Sequence, residues 1–452
     1  MIRPENVAVL FISGTAGDTR RYRCDHQQEQ LTLQRVCTTL KLDDDPSILG
    51  DVLDYELFIL HRVSLSPLID DFLDLADFAG KPALFETDDL IFAPDVADQV
   101  PLLDRMPPAE ATRYRETLAG YARTFERCSF FLAPTEFLAD VARRQGKQAF
   151  VNRNAISSEL LRISEAARQQ RRRPHDDGHD RDSGRIIIGY FSGSGSHDRD
   201  FRTVTDALVQ VMRKHPHVWL HVAGELNLSY HFDPVADRIV RTPYLPWREL
   251  PHIIADTDIN IVPLEVDSPF CQGKSELKYF EAGAVGVPTV ATPVEAFRHA
   301  IAHGTNGLLA DTPDEWQRAL SGLVTDAEQR QALGEAAYQD VHRRYSPAAR
   351  AETFWPLLQH LLEAAPKTRD PTELARAVIA RLYRQIERQD EHLAQQQSQI
   401  EGLRQTLTER EARWAQLQDA FRTDLERVLA NLVAAQPDQR RSVAEARPVR
   451  GG

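Results

Sequence analysis

The sequence predicts an α/β protein in which two tandem doubly wound, Rossmann-like domains are followed by a long C-terminal helix. Three observations predict this fold class. Short apolar runs alternate with amphipathic helical patterns from Val7 to about Ile156, and the same alternation resumes at Ile186. A polar segment with an apolar residue at every seventh position then begins near residue 371. Alternating strands and helices are typical of a parallel sheet covered on both faces, and a seven-residue repeat is typical of a coiled coil.

The first predicted domain covers residues 1–160 and contains five predicted strands. Each strand is a short apolar run bounded by turn-forming residues. The segments between them, such as SPLIDDFLDLADFAG and TEFLADVARRQG, have the spacing of amphipathic helices that end at glycine. We therefore predict a parallel sheet with helices on both sides. The predicted strands are VAVLFISG, YELFILHRV, PALFETDDL, SFFLAP and QAFVNR.

A second domain is predicted for residues 186–365, after a charged segment at residues 161–185. EAARQQRRRPHDDGHDRDSGR, which makes up most of that segment, is almost free of apolar residues. Such a stretch cannot contribute to a core, so we predict a disordered, solvated linker rather than a phosphate-binding loop. The strands predicted in the second domain are RIIIGYFSG, VWLHVAG, RIVRTPYL, DINIVPL, VPTVAT and GLLA.

Residues 371–435 are predicted to form a coiled coil, and residues 436–452 a disordered tail. A strict seven-residue repeat favours a left-handed supercoil with a partner helix. The partner helix would belong most simply to a second copy of this chain in a parallel dimer, or else to another coiled-coil protein. The alternative is a lone, solvated helix. The apolar positions are Ile379, Ile386, Leu393, Ile400, Leu407, Trp414, Phe421 and Val428, and polar residues at the second core position are Gln389, Gln396, Arg410 and Asp424.

Composition excludes several classes of protein. The formal net charge of −13 argues against broad binding of nucleic acid, because a phosphate backbone favours a basic surface. The four cysteines lie far apart, which fits reduced thiols better than a disulfide framework or a zinc site. No apolar run approaches the ~20 residues that span a bilayer. We expect a cytoplasmic protein, with a peripheral position at the inner face of a membrane as the alternative.

The most informative stretch for chemistry is DSPFCQGKSELKYFEAGAVGVPTVAT, from Asp267 to Thr292. If it is helical, Lys274, Lys278 and Glu281 share one face. Ser275 is predicted to cap this helix, so that a diphosphate at its start would meet free amides and two ammonium groups. The carboxylate one turn later could accept hydrogen bonds from both hydroxyls of a ribose. The alternative is a solvated helix with a Lys–Glu pair.

A second candidate ligand loop is GYFSGSGSHDRDF, which follows the first predicted strand of the second domain. Gly193 and Gly195 would let the backbone approach a phosphate closely, and Arg199 would add a cation. A glycine-rich turn of this kind also occurs where it only makes a tight connection. In open parallel sheets ligands bind beyond the carboxyl ends of strands, so both stretches are predicted to face a cleft between the two domains.

These motifs, with NGLLADTPDEWQRALSGLVTD and RRYS further on, resemble the donor domain of GT-B glycosyltransferases over residues 186–350. The resemblance is to family 4 and its bacterial surface-polysaccharide relatives. It implies that Glu281 holds the ribose and that Lys274 and Lys278 match a K-S-x-x-K-x-x-E variant. Arg199 falls where the family has a phosphate-binding lysine. The family's first glutamate is replaced by Gly273 here, and Glu276 is the candidate substitute.

The resemblance implies that the N-terminal domain binds the acceptor. Asp88 and Asp89 follow a strand in ETDDL, where one is predicted to contact or deprotonate an acceptor hydroxyl; the alternative is a turn carboxylate. An aspartate pair that binds a metal belongs to the other glycosyltransferase fold, so no metal ligand is predicted. The remaining acceptor-side candidates are Gly14, Arg20, Arg21, Arg23, His61 and Arg62.

Together these features predict a metal-independent glycosyltransferase that uses a nucleotide-diphosphate sugar and no cofactor. The expected acceptor is a glycan or a lipid-linked glycan in the synthesis of bacterial surface polysaccharide. Family resemblance implies retention at the anomeric carbon. The rival hypotheses are a nucleotide-sugar epimerase of the same fold and a scaffold protein with a relic site.

Overall fold

The computed structural model describes residues 2–93, 103, 106–172, 184–193, 198–365 and 370–434. The chain divides into two compact units, the first ending at Leu382 and the second beginning at Tyr383. The first unit contains two parallel six-stranded sheets, each flanked by helices. The prediction of two tandem doubly wound domains is therefore confirmed.

The N-terminal sheet has the strand order β2-β1-β3-β4-β5-β6, and all its pairings are parallel. Its strands are β1 (Ala8–Ser13), β2 (Cys37–Leu42), β3 (Leu57–His61), β4 (Ala83–Glu86), β5 (Phe130–Ala133) and β6 (Gln148–Val151). Its helices are α1 (Asp18–Arg20), α2 (His26–Leu33), α3 (Ile48–Asp51), α4 (Pro67–Ala79), α5 (Pro108–Arg127) and α6 (Glu136–Arg144).

The edge strand β2 was absent from the predictions. Its sequence CTTLKL is only partly buried, because none of the described strands pairs with one of its two long edges. Apolar runs identify buried strands such as β3, whose five residues are all buried, better than they identify polar edge strands.

The second sheet has the order β12-β11-β10-β7-β8-β9 and is also parallel. Its strands are β7 (Ile186–Phe191), β8 (Val218–Ala223), β9 (Ile239–Thr242), β10 (Ile259–Val262), β11 (Thr289–Ala291) and β12 (Leu308–Leu309). The helices before and around it are α7 (Ser158–Arg172), α8 (Asp198–Arg202), α9 (Thr205–Lys214), α10 (Leu250–Ala255), α11 (Pro269–Gln272), α12 (Leu277–Ala284), α13 (Glu295–Ala300), α14 (Pro313–Thr325) and α15 (Ala327–Arg344).

Helix α7 corrects the prediction that a disordered linker begins at residue 161. Leu160, Ile163 and Ala167 are buried on one face of this helix, and the Arg168 guanidinium lies 3.5 Å from the Tyr338 ring centroid. The apolar residues at helical spacing precede the arginine run, so the charged composition of the later residues concealed them. Residues 173–183 of the predicted linker lie outside the described residues.

The helix that follows the second sheet, α16 (Pro347–Ala364), packs on the N-terminal domain. Phe354, Trp355 and Leu358 share a core with Val9 and Phe11 of β1. The chain therefore crosses between the domains twice, once before α7 and once before α16. The prediction placed this helix among the closing helices of the second domain, because a sequence pattern shows that a helix has an apolar face but not what that face contacts.

The last helix, α17, runs from Pro371 to Ala434. Leu374 and Val378 are buried in the N-terminal core, and Arg381 lies 3.7 Å from Asp74. From Tyr383 to Asn431 no side chain is buried. Within the described part of the chain, no helix is both long enough and apolar enough to cross a membrane.

Candidate functional site

A cleft of about 290 Å³ lies at the carboxyl ends of the strands of both sheets. The N-terminal domain lines it with residues that follow β1 and β4, and the second domain with residues that follow β7 and β9 and with α12. This is the edge at which open parallel sheets bind ligands. Charged residues in the lining are Asp18, Arg21, Asp88, Asp89, Lys274, Lys278 and Glu281.

The predicted face of Lys274, Lys278 and Glu281 opens into this cleft. Lys278 and Glu281 lie on α12, whereas Lys274 lies in the turn between α11 and α12. The prediction that Ser275 caps the helix is wrong, since α12 begins at Leu277 and its N-cap position makes no side-chain bond. The Ser275 hydroxyl instead accepts a hydrogen bond from the Asn154 amide, at 2.9 Å.

Glu281 is joined to the N-terminal domain by a short hydrogen bond that the Tyr22 hydroxyl donates to its Oε1. Burial raises the pKa of the Glu281 carboxyl, and the bond from Tyr22 and the charges of Arg21 and Lys278 oppose that rise. Tyr22 follows β1 in a short π-helical turn, Arg21–Asp25. The carboxylate proposed for ribose is therefore surrounded by residues from both domains.

Lys278 is a buried cation of the cleft whose charge depends on its surroundings. Burial lowers the pKa of its ammonium group to about 8, although Asp200 and Glu281 act in the opposite direction. Its Nζ lies 4.8 Å from the Tyr190 ring centroid. An ammonium group in this state would gain most from an added anion, because an anion restores the favourable charge interactions that burial has removed.

A chain of ion pairs crosses the cleft from Lys274 to the N-terminal domain. Lys274 Nζ lies 2.8 Å from Asp89 Oδ1, and the Arg62 guanidinium contacts both Asp89 and Asp88 at 2.5 Å. Burial by itself would raise the pKa of Asp89, but Lys274 and Arg62 hold it well below its usual range. Arg62 has a left-handed backbone, with φ of 47°, which few non-glycine residues adopt. Such a conformation persists where surrounding contacts enforce it, and functional sites are common places for it.

Arg23 and His61 were predicted on the acceptor side, but the structure buries both beneath the cleft. Arg23 Nε lies 2.5 Å from Glu86 Oε1, and His61 Nδ1 lies 3.0 Å from Ser13 Oγ. Burial lowers the pKa of His61 well below its usual value and raises that of Glu86 to about 7. These residues form an internal polar network, which corrects the prediction that they contact an acceptor.

Gly14 and Arg20 also lie outside the lining of the cleft. A Cβ on Gly14 would come within 2.3 Å of the Arg62 carbonyl oxygen, so glycine is required there by the close approach of two chain segments. Arg20 is partly buried, and its Nε has no hydrogen-bond partner among the described residues. Of the predicted acceptor-side residues, Arg21 lines the cleft itself and Arg62 supports it through Asp88 and Asp89.

Among the residues predicted from the second domain, Glu276 is fully buried away from the cleft and accepts a hydrogen bond from the Tyr345 hydroxyl at 3.2 Å. It therefore does not take the place of the glutamate that Gly273 replaces. Arg199 is half exposed on α8 and pairs with Glu265 at 3.2 Å, outside the lining. Gly193 lines the cleft, and Gly195 lies outside the described residues.

Tyr22, Asp18, Tyr244 and Trp247 belong to the site but were not predicted. The Arg21 guanidinium lies 4.3 Å from the Tyr22 ring centroid and 4.7 Å from that of Trp247. The Tyr244 hydroxyl donates to Asp18 at 3.0 Å across the mouth of the cleft. The available signal was the aromatic pair in YLPW, which follows a strand as the predicted ligand loops do.

The family described as glycosyl transferase-like matches residues 202–355 of this chain. A D-inositol 3-phosphate glycosyltransferase from Corynebacterium urealyticum is 34% identical over 131 residues, which cover 28% of this chain and 29% of that protein. Another from Corynebacterium glutamicum is 32% identical over 156 residues, 34% of each chain. The chain thus spans about a third of the length of these relatives.

Solved structures resemble most of the chain. A glycosyltransferase from Rickettsia africae has a TM-score of 0.53 at 10% identity, covering 80% of this chain and 100% of that one. The Anabaena protein HepE in complex with UDP and glucose has a TM-score of 0.52 at 15% identity, covering 78% and 100%. Sucrose-phosphate synthase from Thermosynechococcus elongatus gives 0.52 at 15% identity, covering 79% and 100%. At such identities the likeness shows the fold alone.

The protein has the GT-B fold of glycosyltransferases: two parallel α/β domains with a cleft at the carboxyl ends of their strands. The match to the glycosyl transferase-like family lies in the domain that carries Lys274, Lys278 and Glu281. The predicted resemblance to GT-B glycosyltransferases is therefore confirmed for the fold and for the family match over residues 202–355.

Proposed function

We propose that this protein is a glycosyltransferase that moves a sugar from a nucleotide-diphosphate donor to a hydroxyl of a glycan or lipid-linked acceptor. One observation carries the proposal: Lys274, Lys278 and Glu281 share a cleft lining with Arg21 at the carboxyl ends of both sheets. Three cations suit a diphosphate, and a carboxylate suits ribose hydroxyls. Fixed cations would also stabilise the charge that develops on the leaving diphosphate.

A panel of UDP-, GDP- and dTDP-sugars tests this proposal by thermal shift, followed by turnover with and without glycan acceptors. A stabilising donor whose sugar is transferred only when acceptor is present would support it. Isomerised donor without acceptor would favour the epimerase. Failure of every nucleotide to bind would favour a scaffold protein with a relic site. The observation behind that alternative is Gly273, which replaces the family's first glutamate.

Asp88 and Asp89 are the proposed contacts to the acceptor hydroxyl. Arg62 holds both carboxylates at the cleft, and Asp89 stays ionised because its pKa is held low. An ionised carboxylate of this kind accepts a hydrogen bond from a hydroxyl well but is a weak base. We therefore assign Asp89 to orienting the acceptor, and Asp88 to orienting it or taking up its proton.

The acceptor class, the synthesis of surface polysaccharide and retention at the anomeric carbon are proposals that rest on the family resemblance. The relatives named D-inositol 3-phosphate glycosyltransferases match about a third of this chain, so we do not infer the acceptor of this protein from their names. NMR of the anomeric proton in the first product would establish whether the sugar's configuration is retained.

Transfer is expected to be unaffected by EDTA. Lys274, Lys278 and Arg21 would neutralise the diphosphate, while Asp88 and Asp89 are already paired with cations. Initial rates with EDTA should equal those with added magnesium or manganese. A strict requirement for either ion would contradict this mechanism and make the two aspartates candidate metal ligands.

Donor binding is expected to weaken as the pH rises through about 8. The pKa of Lys278 is lowered to about 8, so its ammonium is charged below that pH and neutral above it. Because only the charged form attracts a diphosphate, affinity at pH 9 should be about tenfold lower than at pH 7. Calorimetry across this range is the measurement. Lys278→Arg, which stays charged, should show a flat profile; the same decline in that variant would contradict the assignment.

We also propose that α17 joins two copies of the chain. The heptad stripe, defined here as Ile386, Leu393, Ile400, Leu407, Trp414, Phe421 and Val428, is at least half exposed at every position. The first turns of the helix are buried in the N-terminal core, so the stripe begins where that contact ends. A single polar helix needs no seven-residue repeat, whereas burial against a second helix does.

A further inference from the structure

We propose that Tyr22 is a positioning residue for Glu281, so that the donor ribose is recognised by a carboxylate that the acceptor-side domain holds in place. The inference rests on the proposed role of Glu281 in donor binding. It assigns to the N-terminal domain a part in recognising the nucleotide, and it names the residue responsible.

The Tyr22 hydroxyl donates to Glu281 Oε1 across 259 residues of sequence. Only 4% of Tyr22 is exposed, and its ring packs edge-on against His26 at 4.8 Å and Phe280 at 6.2 Å between centroids. Phe280 belongs to α12, as Glu281 does. A ring held from both domains cannot move aside for a donor without opening the core, so its hydroxyl stays where it is.

Tyr22 remains a hydrogen-bond donor throughout the working pH range. Burial raises the pKa of its hydroxyl well above the usual value, and the Glu281 charge raises it further. The direction of the bond is therefore fixed: the phenol donates and the carboxylate accepts. An ionised carboxylate has about four lone-pair sites, so one bond to Tyr22 leaves room for two ribose hydroxyls.

The bond has two effects on Glu281. It restricts the carboxylate to one orientation, and it opposes the rise in pKa that burial causes. Both effects matter for ribose, because a protonated or rotating carboxyl would lose one of its two acceptor contacts. Arg21, between the Tyr22 and Trp247 rings, adds a positive charge that acts in the same direction.

The test is Tyr22→Phe, which keeps the ring and removes the hydroxyl. Calorimetry would compare UDP and GDP with their 2′,3′-dideoxy forms, which lack the hydroxyls that Glu281 would accept. In the native protein the ribose form should bind at least about tenfold more tightly than the dideoxy form. In the variant this ratio should fall toward one, while the affinity for the dideoxy form stays unchanged. When the solution is acidified, the variant should lose binding at a higher pH than the native protein does, because the pKa of Glu281 is no longer lowered by Tyr22.

The matched control is Tyr279→Phe. Tyr279 is also on α12 and fully buried, and its hydroxyl donates to Asp340 at 3.0 Å, but it lies outside the cleft lining. If loss of a buried phenol merely loosened α12, the control would lower the ribose preference as much as Tyr22→Phe does, and the inference would be overturned.

The remaining outcomes separate this inference from the proposed function. A native protein that prefers the ribose form, together with a Tyr22→Phe variant that keeps the full preference, would overturn the inference and leave the donor site intact. A native protein that binds neither nucleotide, or binds both forms equally, would overturn the role of Glu281 and this inference with it.

Discussion

Glu281→Ala is expected to weaken binding of the donor nucleotide by about 1.5–3 kcal/mol, or ~10- to 150-fold, the range for hydrogen bonds to a charged group. Glu281 lines the cleft beside Lys278, and no other glutamate in the described part of the chain does. Burial raises the pKa of its carboxyl, and the hydrogen bond from Tyr22 and the charges of Arg21 and Lys278 oppose that rise. Removing it would leave two ribose hydroxyls without acceptors and Tyr22 without a partner. Calorimetric titration with UDP and GDP is the measurement.

Two further variants make this result interpretable. Glu335→Ala removes a glutamate that pairs with Arg168 at 2.5 Å outside the cleft, and it should leave donor affinity unchanged. Glu281→Gln keeps one acceptor oxygen and should lose less affinity than Glu281→Ala. If Glu281→Ala folds and binds the donor as the native protein does, Glu281 has no place in the site.

Full-length protein is expected to be a dimer, and a chain ending at Gln385 a monomer. The shorter chain keeps Leu374 and Val378, which are part of the N-terminal core, and removes the heptad stripe. Light scattering of the two proteins should therefore differ about twofold in mass per particle, with nucleotide binding retained in both. In a parallel dimer Arg410 would face Arg410 of the second copy, and Asp424 would face Asp424 of the second copy. These pairs of like charges weaken the interface, so dissociation on dilution is expected.

The helix itself offers a matched pair of variants. Leu407→Asp places a charge on the stripe and should abolish the dimer, whereas Gln405→Asp places the same charge on the opposite side and should not. A monomeric full-length protein at high concentration, without a partner present, would contradict self-association through α17.

The structure also changes where the chain should be cut. PKTRDP, at residues 366–371, separates Ala365 from the heptad repeat, so the sequence alone predicts that a chain ending near Ala365 stays folded. Such a chain would lose the burial of Leu374 and Val378, worth up to ~1.5–3 kcal/mol for each side chain. We therefore expect a lower thermal midpoint for that chain than for one ending at Gln385.

Local pattern in the sequence was sufficient for the two sheets and for half of the candidate site. A buried parallel strand must be apolar along its length, so β3 and β10 are recognisable without any partner. Lys278 and Glu281 share a face because three residues nearly complete one helical turn, which holds wherever the helix packs. Both kinds of information lie within a short stretch of chain.

Tertiary structure decided which polar residues at strand ends reach the cleft. Arg21 and Arg23 are two positions apart after the same strand, yet Arg21 lines the cleft and Arg23 is fully buried against Glu86. Tyr22 meets Glu281, and Asp89 meets Lys274, across separations of 259 and 185 residues. Contacts of this kind depend on how the two domains pack against each other. The spacing of residues within a short stretch of chain does not encode which residues of the two domains meet. The sequence by itself therefore determined the fold class and the shared helix face of Lys278 and Glu281, while the N-terminal side of the candidate site was decided by packing between the domains.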